Sequence, residues 1–407
     1  MKILNISSYE LSGCRFNGFI NHLNFRKEGI DSTYLVWTKE GNDANTKRLF
    51  DNKYRDYIHG KTKHIEDKYS IQSLLYPFAF LLPFKKYFYK SNVIHYHLIH
   101  NFFFSLFALP ILTRIKPTIW TLHDPWALTG HCRYPQGCKK WQSGCKGCPD
   151  LEAYFPMKKD NARLMWKIKK YIYKLSKFHL VVASEWMLSM VEDSPLFYKF
   201  PIHLIPFGID LNTFYPMDSN SAKSKLGLND NFTILFRATN NEVKGFSFVA
   251  EFLKGFSKLK YPKINILTVE QNGLLDDLKE FYGIKEFGWV YDESQMNIIF
   301  NAADVFLMPS TAESFGLMAI EAMACAKPVI VFEGTSLPQV VYAPEGGICV
   351  ERSGDAILRT IELLIRDPEY RKKIGNQAYE IVLKKYDYKI HYQKIKELYK
   401  TVSKKEW

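Results

Sequence analysis

Glu313 and Glu321, with seven residues between them, are the side chains whose placement most suggests chemistry. They stand in the stretch Asp304-Val-Phe-Leu-Met-Pro309-Ser310-Thr-Ala-Glu313-Ser314-Phe315-Gly316-Leu317-Met-Ala-Ile-Glu321. This reads as a buried strand ending at Pro309, a loop carrying Glu313 and a helix starting near Gly316. The N–H groups of Phe315, Gly316 and Leu317 then lack partners within the helix, and its positive end stands behind them. Glu321 lies just over one turn in, and its Cα–Cβ bond tilts toward the N-terminus, so its carboxylate can face the same ligand. Carboxylates accept paired hydrogen bonds from vicinal hydroxyls, and a helix start receives phosphate. The combination suits a nucleotide sugar. A capping pair on an ordinary amphipathic helix would use the same residues, and this stretch alone leaves both readings open.

A second cluster is cysteine-rich. Cys132, Cys138, Cys145 and Cys148 fall in one loop, residues 130–150, spaced C-x5-C-x6-C-x2-C. The C-x2-C half is a zinc-ligand spacing, and a loop of Gly and Pro gains order from a metal. A structural zinc is expected there, with His131 able to replace one Cys. The alternative is free thiols packed against Trp126, Tyr134 and Trp141.

These groups need elements to hold them. Residues 2–7 read as a strand, 14–28 as a helix stopped by Gly29, and 32–37 as the next strand, the opening of a doubly wound parallel sheet. Further strands are expected at 93–97, 118–122, 179–183 and 203–206. The alternation restarts with strand 233–236, helix 247–258 and strands 263–269, 284–287 and 305–309. Helix 316–325, strand 328–332 and helices after Gly354 complete it. The expected fold is α/β, two Rossmann-like domains facing each other across a cleft. They would cover residues 1–206 and 217–385, and a C-terminal helical segment, 386–407, would pack back on the first. Ligands in such sheets sit at the strands' carboxyl ends.

The chain has 407 residues, 24% charged and 47% hydrophobic, which fits two or three globular domains and excludes a mainly disordered chain. Its formal net charge of +13 points to an anionic partner. The N-terminus lacks a signal-peptide core and the longest apolar runs are too short to span a bilayer, so a cytoplasmic location is expected. Disulfides are then disfavoured. Gly60-Lys61-Thr62 resembles the end of a phosphate-binding P-loop, but Arg55 occupies the place of its first Gly. There is no G-x-G-x-x-G after a strand, and no D-x-D pair to hold a divalent metal on a sugar nucleotide. No nucleic-acid-binding motif accompanies the basic charge, so nucleic acid is not an expected partner.

The resemblance that ties these features together is to glycosyltransferase family 4 (glycosyl transferases group 1), retaining enzymes of GT-B architecture. Its Glu-x7-Glu signature matches Glu313 and Glu321. Ser12-Gly13 matches the glycine-rich loop after the first strand, His95-Tyr96-His97 a strand ending in His-x-His, and Thr121-Leu122-His123-Asp124 the Thr-x-His-Asp segment. Ser184-Glu185-Trp186, Pro206-Phe207-Gly208-Ile209-Asp210, Lys244-Gly245, Gly334, Pro338 and Gly346-Gly347 resemble later landmarks. The run from Trp120 to Cys132, with three more cysteines by Cys148, resembles the colanic-acid-type subgroup.

The resemblance implies a role for each residue. Glu321 would bind the ribose and Glu313 the transferred sugar. Lys244 would hold the diphosphate, Gly13 would allow close backbone approach, and His123 would contact the donor sugar near the bond being broken. Glu313, His123 and Lys244 would form the catalytic set. Gly13, Arg237, Lys244, Phe315, Gly316, Leu317 and Glu321 would form the donor site. Two departures stand out. The family's Gly-Arg-x4-Lys-Gly is here Phe236-Arg237-Ala238-Thr239-Asn240-Asn241-Glu242-Val243-Lys244, which puts Thr239 at the Arg position and Arg237 two residues earlier. Phe207 replaces the crossover Asn.

The implied activity is transfer of a sugar from a UDP- or GDP-linked donor to an acceptor hydroxyl with retained configuration, without a catalytic metal, in bacterial surface polysaccharide assembly. The alternatives are a catalytically silent nucleotide-sugar-binding protein and another GT-B enzyme, such as an epimerase or an inverting transferase. A zinc-containing nucleic-acid binder is the reading motivated by charge and cysteines alone. Runs 74–84 and 102–112 are apolar and aromatic, with Lys85, Lys86 and Lys90 beside the first. Peripheral contact with the inner face of a membrane and a saccharide or lipid-linked acceptor are therefore expected. The alternative is that both runs are buried helices.

Overall fold

The computed structural model describes the chain except residues 153–154, 259–262 and 405–407. The end of the expected segment 386–407 and a short piece of 217–385 thus lie outside the described residues. The chain divides into two compact units. One comprises Met1–Ile205 with Tyr392–Trp407, the other Pro206–His391.

The first unit holds seven strands: β1 Lys2–Tyr9, β2 Asp31–Thr38, β3 Thr46–Arg48, β4 Val93–His97, β5 Thr118–Thr121, β6 His179–Val182 and β7 Ile202–Leu204. They form one parallel sheet in the order β3-β2-β1-β4-β5-β6-β7. Helices α1 Phe19–Lys27, α2 Arg55–Tyr69, α3 Lys86–Lys90, α4 Leu109–Ile115, α5 Ala162–Leu175 and α6 Glu185–Glu192 accompany it. The second unit holds β8 Thr233–Ala238, β9 Asn265–Glu270, β10 Gly283–Glu286, β11 Val305–Met308, β12 Val329–Phe332 and β13 Ile348–Val350. Its parallel order is β10-β9-β8-β11-β12-β13. Its helices are α7 Ser219–Lys225, α8 Phe246–Phe256, α9 Glu293–Ala302, α10 Leu317–Ala324, α11 Leu337–Val340, α12 Gly354–Arg366 and α13 Pro368–Lys385; α14 Tyr388–Lys404 follows.

The central strands β11 and β12 are continuous apolar runs because helices cover both faces of a parallel sheet. In each sheet the strand order reverses once, between β1 and β4 and between β8 and β11. Loops leaving the carboxyl ends there are where ligands bind in such sheets. From Tyr392 onward α14 groups with the first unit. Its Tyr399 hydroxyl is buried at 2.6 Å from His95 Nδ1 and 3.2 Å from Asn5 Oδ1, and Lys396 pairs with Glu28 at 2.5 Å.

Several elements differ from expectation for local reasons. Helix α1 starts at Phe19, not residue 14, because Gly13 and Gly18 both take left-handed backbone angles. At Gly18 a Cβ would lie 2.5 Å from His97 Nε2, so the chain passes that ring too closely for any side chain. Gly60-Lys61-Thr62 lies inside α2, which removes the P-loop reading outright. Among the described residues no helix is long and apolar enough to cross a membrane.

Candidate functional site

In the second unit, the loops after β8 and β11 flank the reversal point and are locked to each other. The turn Glu242–Lys244 ends at Gly245, φ +73°, where a Cβ would sit 1.9 Å from the Pro309 carbonyl oxygen. Only glycine lets the turn press so closely on the β11 loop. Thr311 N–H donates to the Val243 carbonyl at 2.9 Å, and the Asn241 side chain accepts from Val243 N–H. This packing delivers Lys244 Nζ to 2.7 Å from Glu313 Oε2, with both side chains mostly shielded from water. The expected cation and the expected sugar-binding carboxylate thus meet each other.

Helix α10 starts immediately beyond. Gly316 takes φ +95° at its N-cap, where a Cβ would strike Leu337 at 2.5 Å, and no side chain caps the helix. Its first N–H groups are therefore left for a ligand or water. Phe315 is buried between Phe207 and Tyr386, each edge-on at under 6 Å. Phe207, at the crossover, thus supplies packing for the α10 start where the family's Asn would supply a polar contact. Glu321 is on α10 but only 1% exposed. Arg237 ion-pairs with Glu270 across β8 and β9. Glu270 is a non-glycine residue at φ +90°, a conformation that persists where surrounding contacts impose it.

In the first unit, the loop after β1 is built around two glutamates. Glu40 accepts from Leu11 and Ser12 N–H at 2.8 Å and from the Ser12 hydroxyl at 2.6 Å. Glu10 accepts from Glu40 and Gly41 N–H at 3.0 and 2.6 Å. This carboxylate exchange fixes Gly13, φ +76°, with Asn17 bonding back to the Tyr9 carbonyl. His97, at the end of β4, meets His123 just after β5, Nδ1 to Nε2 3.3 Å. Burial pushes the His123 imidazole down to about 3, so it is neutral through the physiological range. Burial alone would raise the neighbouring Asp124 carboxyl, but His100 and Arg133 overcome that and hold it well below the usual carboxylate range. Glu10, Glu40, His97, Asp124 and Arg133 were not among the expected site residues. Only the Thr-x-His-Asp and His-x-His segments signal any of them in sequence.

The zinc expectation is corrected. Among the described residues no three His, Cys, Asp or Glu side chains come together as metal ligands. The Cys145 sulfur accepts from Gly130 N–H at 3.2 Å, and the Cys148 thiol donates to the Asp150 carbonyl at 3.1 Å. Burial pushes the Cys132 thiol up to about 12 and Cys145 up to about 11. Order in the loop comes from elsewhere. Trp126, Trp141 and Trp166 are buried beneath it, each contributing roughly 1.5–3 kcal/mol. The fully buried Lys169 donates to the Trp126 and Thr129 carbonyls at 2.7 and 2.9 Å and lies 3.6 Å from the centre of the Trp126 ring. Gly130 abuts the Ala162 carbonyl so closely that a Cβ would be 2.3 Å from it.

Comparison with known proteins bears on this geometry. Residues 24–213 match the model for Glycosyltransferase Family 4, and residues 218–381 that for Glycosyl transferases group 1. The chain belongs to glycosyltransferase family 4. It is 22% identical over 288 residues to WcaC of Escherichia coli K12, named as a colanic acid biosynthesis glycosyl transferase, covering 67% of this chain and 66% of that protein. It is 27% identical to the capsular polysaccharide biosynthesis glycosyltransferase CapM of Staphylococcus aureus, covering 55% of this chain and 62% of CapM. The alignments thus span less than two thirds of these relatives. Among solved structures, a sucrose-phosphate synthase from Thermosynechococcus elongatus superposes with a TM-score of 0.71 at 18% identity, covering 99% of both chains. Anabaena HepE in complex with UDP and glucose gives 0.64 at 15% identity, covering 98% of this chain and 100% of HepE. These likenesses establish the fold, which is GT-B.

Proposed function

We propose that this family-4 protein transfers a sugar from a nucleotide-sugar donor to an acceptor hydroxyl with retained configuration, in the assembly of a bacterial surface polysaccharide. The observation carrying the reading is the Lys244–Glu313 pair, held at the uncapped start of α10 by the loops of the two strands that flank the sheet's reversal point. Lys244 is the cation for the diphosphate and Glu313 the acceptor of hydrogen bonds from the transferred sugar. Glu321 takes the ribose, and the N–H groups of Phe315, Gly316 and Leu317 add positive potential. Arg237 adds charge once released from Glu270. His123, neutral, offers the sugar a hydrogen bond, not a charge, and Gly13 lets the backbone approach the donor.

The donor arrives in a site where its diphosphate replaces Glu313 as the partner of Lys244. As the sugar–phosphate bond lengthens, negative charge grows on the diphosphate, and Lys244 with the α10 start stabilises it. The leaving diphosphate takes the proton of the acceptor hydroxyl on the same face of the sugar, so no side chain becomes a covalent nucleophile. These groups do the work that a divalent ion on a D-x-D pair would do, and the reading therefore assigns no catalytic metal. Similarity to WcaC and CapM supports a saccharide or lipid-linked saccharide acceptor, and HepE with UDP and glucose supports a UDP-linked donor over a GDP-linked one. Work on a lipid-linked acceptor would take place at a membrane surface.

A thermal-shift panel of UDP, GDP, ADP and their sugars tests the donor class. A ligand binding only the native state raises the melting temperature in proportion to the logarithm of its concentration over Kd. One base should stand out; no shift with any member contradicts the reading.

A further inference from the structure

The first unit carries two long stretches without a carboxylate, residues 68–123 and 161–184. The structure lays them side by side. Lys116, after α4, donates to the Tyr89 and Ser91 carbonyls at 2.8 and 2.9 Å, joining α4 to α3. Lys177 N–H donates to Thr113 Oγ1 at 3.0 Å, joining the end of α5 to α4. Lys199 in turn caps α5 through the Lys174 and Ser176 carbonyls. Each of the neighbouring strands β4, β5, β6 and β7 is entered within three residues of a lysine: Lys90, Lys116, Lys177 and Lys199. With parallel strands about 4.8 Å apart, these form a row along the amino edge of half the sheet. Burial lowers the Lys199 pKa, and the charges of Arg114 and Lys174 lower it further, which places those cations beside it.

Large apolar side chains are exposed among these charges. Phe84 is 85% exposed, Tyr89 75% and Tyr198 78%, and Phe107 in the turn before α4 and Ile111 and Ile115, four residues apart on α4, are also exposed. Leu75, Phe80 and Leu81 are also exposed, whereas other apolar residues of the two runs, such as Leu82, Phe103 and Leu112, are buried in the core. Within each run, core and exposed side chains thus alternate residue by residue.

We infer that the 3₁₀ helix Pro77–Phe84, α3, α4 and the C-terminal half of α5 form a docking surface for an anionic phospholipid bilayer. Lysines and Arg114 meet the headgroups, and Phe84, Tyr89, Ile111 and Ile115 enter the interface. Segments that carry no carboxylate of their own suit a negatively charged partner, and apolar tips between the charges suit a bilayer better than a nucleic acid. The surface rests on the transfer reading only for its use, a lipid-linked acceptor; its binding is measured without donor or acceptor, so the two fail separately.

The test is flotation of the full chain with vesicles of phosphatidylcholine alone or with 30% phosphatidylglycerol. Binding is expected only to the anionic vesicles. Each basic residue is worth about fivefold in partition, so K86E/K90E/K170E/K174E should weaken binding at least about a hundredfold. Ile111→Ser with Phe84→Ser should also weaken it while leaving the charge unchanged. Reversing Lys372, Lys373, Lys384 and Lys385 in the second unit should leave it intact. Equal binding to neutral vesicles, equal loss in both reversal variants, or retention of RNA with no vesicle binding would each overturn the proposal. Circular dichroism of each variant confirms that the exposed substitutions leave the fold in place.

Discussion

Breaking the Lys244–Glu313 pair should move nucleotide affinity in opposite directions depending on which partner is removed. At 2.7 Å and mostly shielded from water, this charged hydrogen bond is worth about 1.5–3 kcal/mol, or about 10–150-fold in a binding constant. In the ligand-free protein Lys244 spends that interaction on Glu313, and a diphosphate must displace it. Lys244→Ala removes the cation and should weaken UDP or GDP binding by about 10–150-fold. Glu313→Ala frees the cation, so nucleoside diphosphate should bind as tightly as to the native protein or more tightly, while transfer is abolished because the sugar loses its partner. Titration calorimetry with the diphosphate alone separates the two, and nucleotide release from the sugar donor reports transfer. Equal loss of diphosphate affinity in both variants would refute the reasoning, because it would mean that Glu313 itself contacts the nucleotide.

Gly245→Ala should cost about 3 kcal/mol or more in chemical denaturation, since its Cβ has no room at the Pro309 carbonyl and its backbone is left-handed. Native Lys169 gives up its proton near 7 because of burial, whereas the unfolded chain keeps it to about 10.4. Between these values the unfolded state binds more protons, so stability should climb from pH 7 to pH 10 by at most about 1.4 kcal/mol per unit, and Lys169→Met should flatten the slope. Transfer should persist in EDTA, measured by nucleotide release; complete, Mg²⁺-reversible loss would contradict the role given to Lys244 and the α10 start.

Strands and the Glu313 loop were legible because buried parallel strands are continuous apolar runs and because turn glycines mark their ends. Helix α2 was missed since it buries only Thr62 and Glu66 among mostly polar residues and carries Gly60 in its middle, so no apolar stripe announces it. The three-residue β3 is too short for any periodic signal. The pairs Lys244–Glu313, Arg237–Glu270 and His97–His123 join residues 69, 33 and 26 positions apart, and spacing along the chain holds no record of such encounters. The cysteine spacing looked like a metal site because sequence shows intervals but not directions. The buried tryptophans and Lys169 that order the loop come partly from α5, well outside it.

The most direct test of the central claim is the anomeric configuration of the product. Proton NMR of freshly formed product, from the nucleotide sugar selected by thermal shift and a saccharide acceptor, reports it through the anomeric coupling constant. The account predicts the donor's configuration in the product, with stoichiometric release of nucleoside diphosphate and no turnover in Glu313→Ala. An inverted product, or undiminished turnover in that variant, would contradict it.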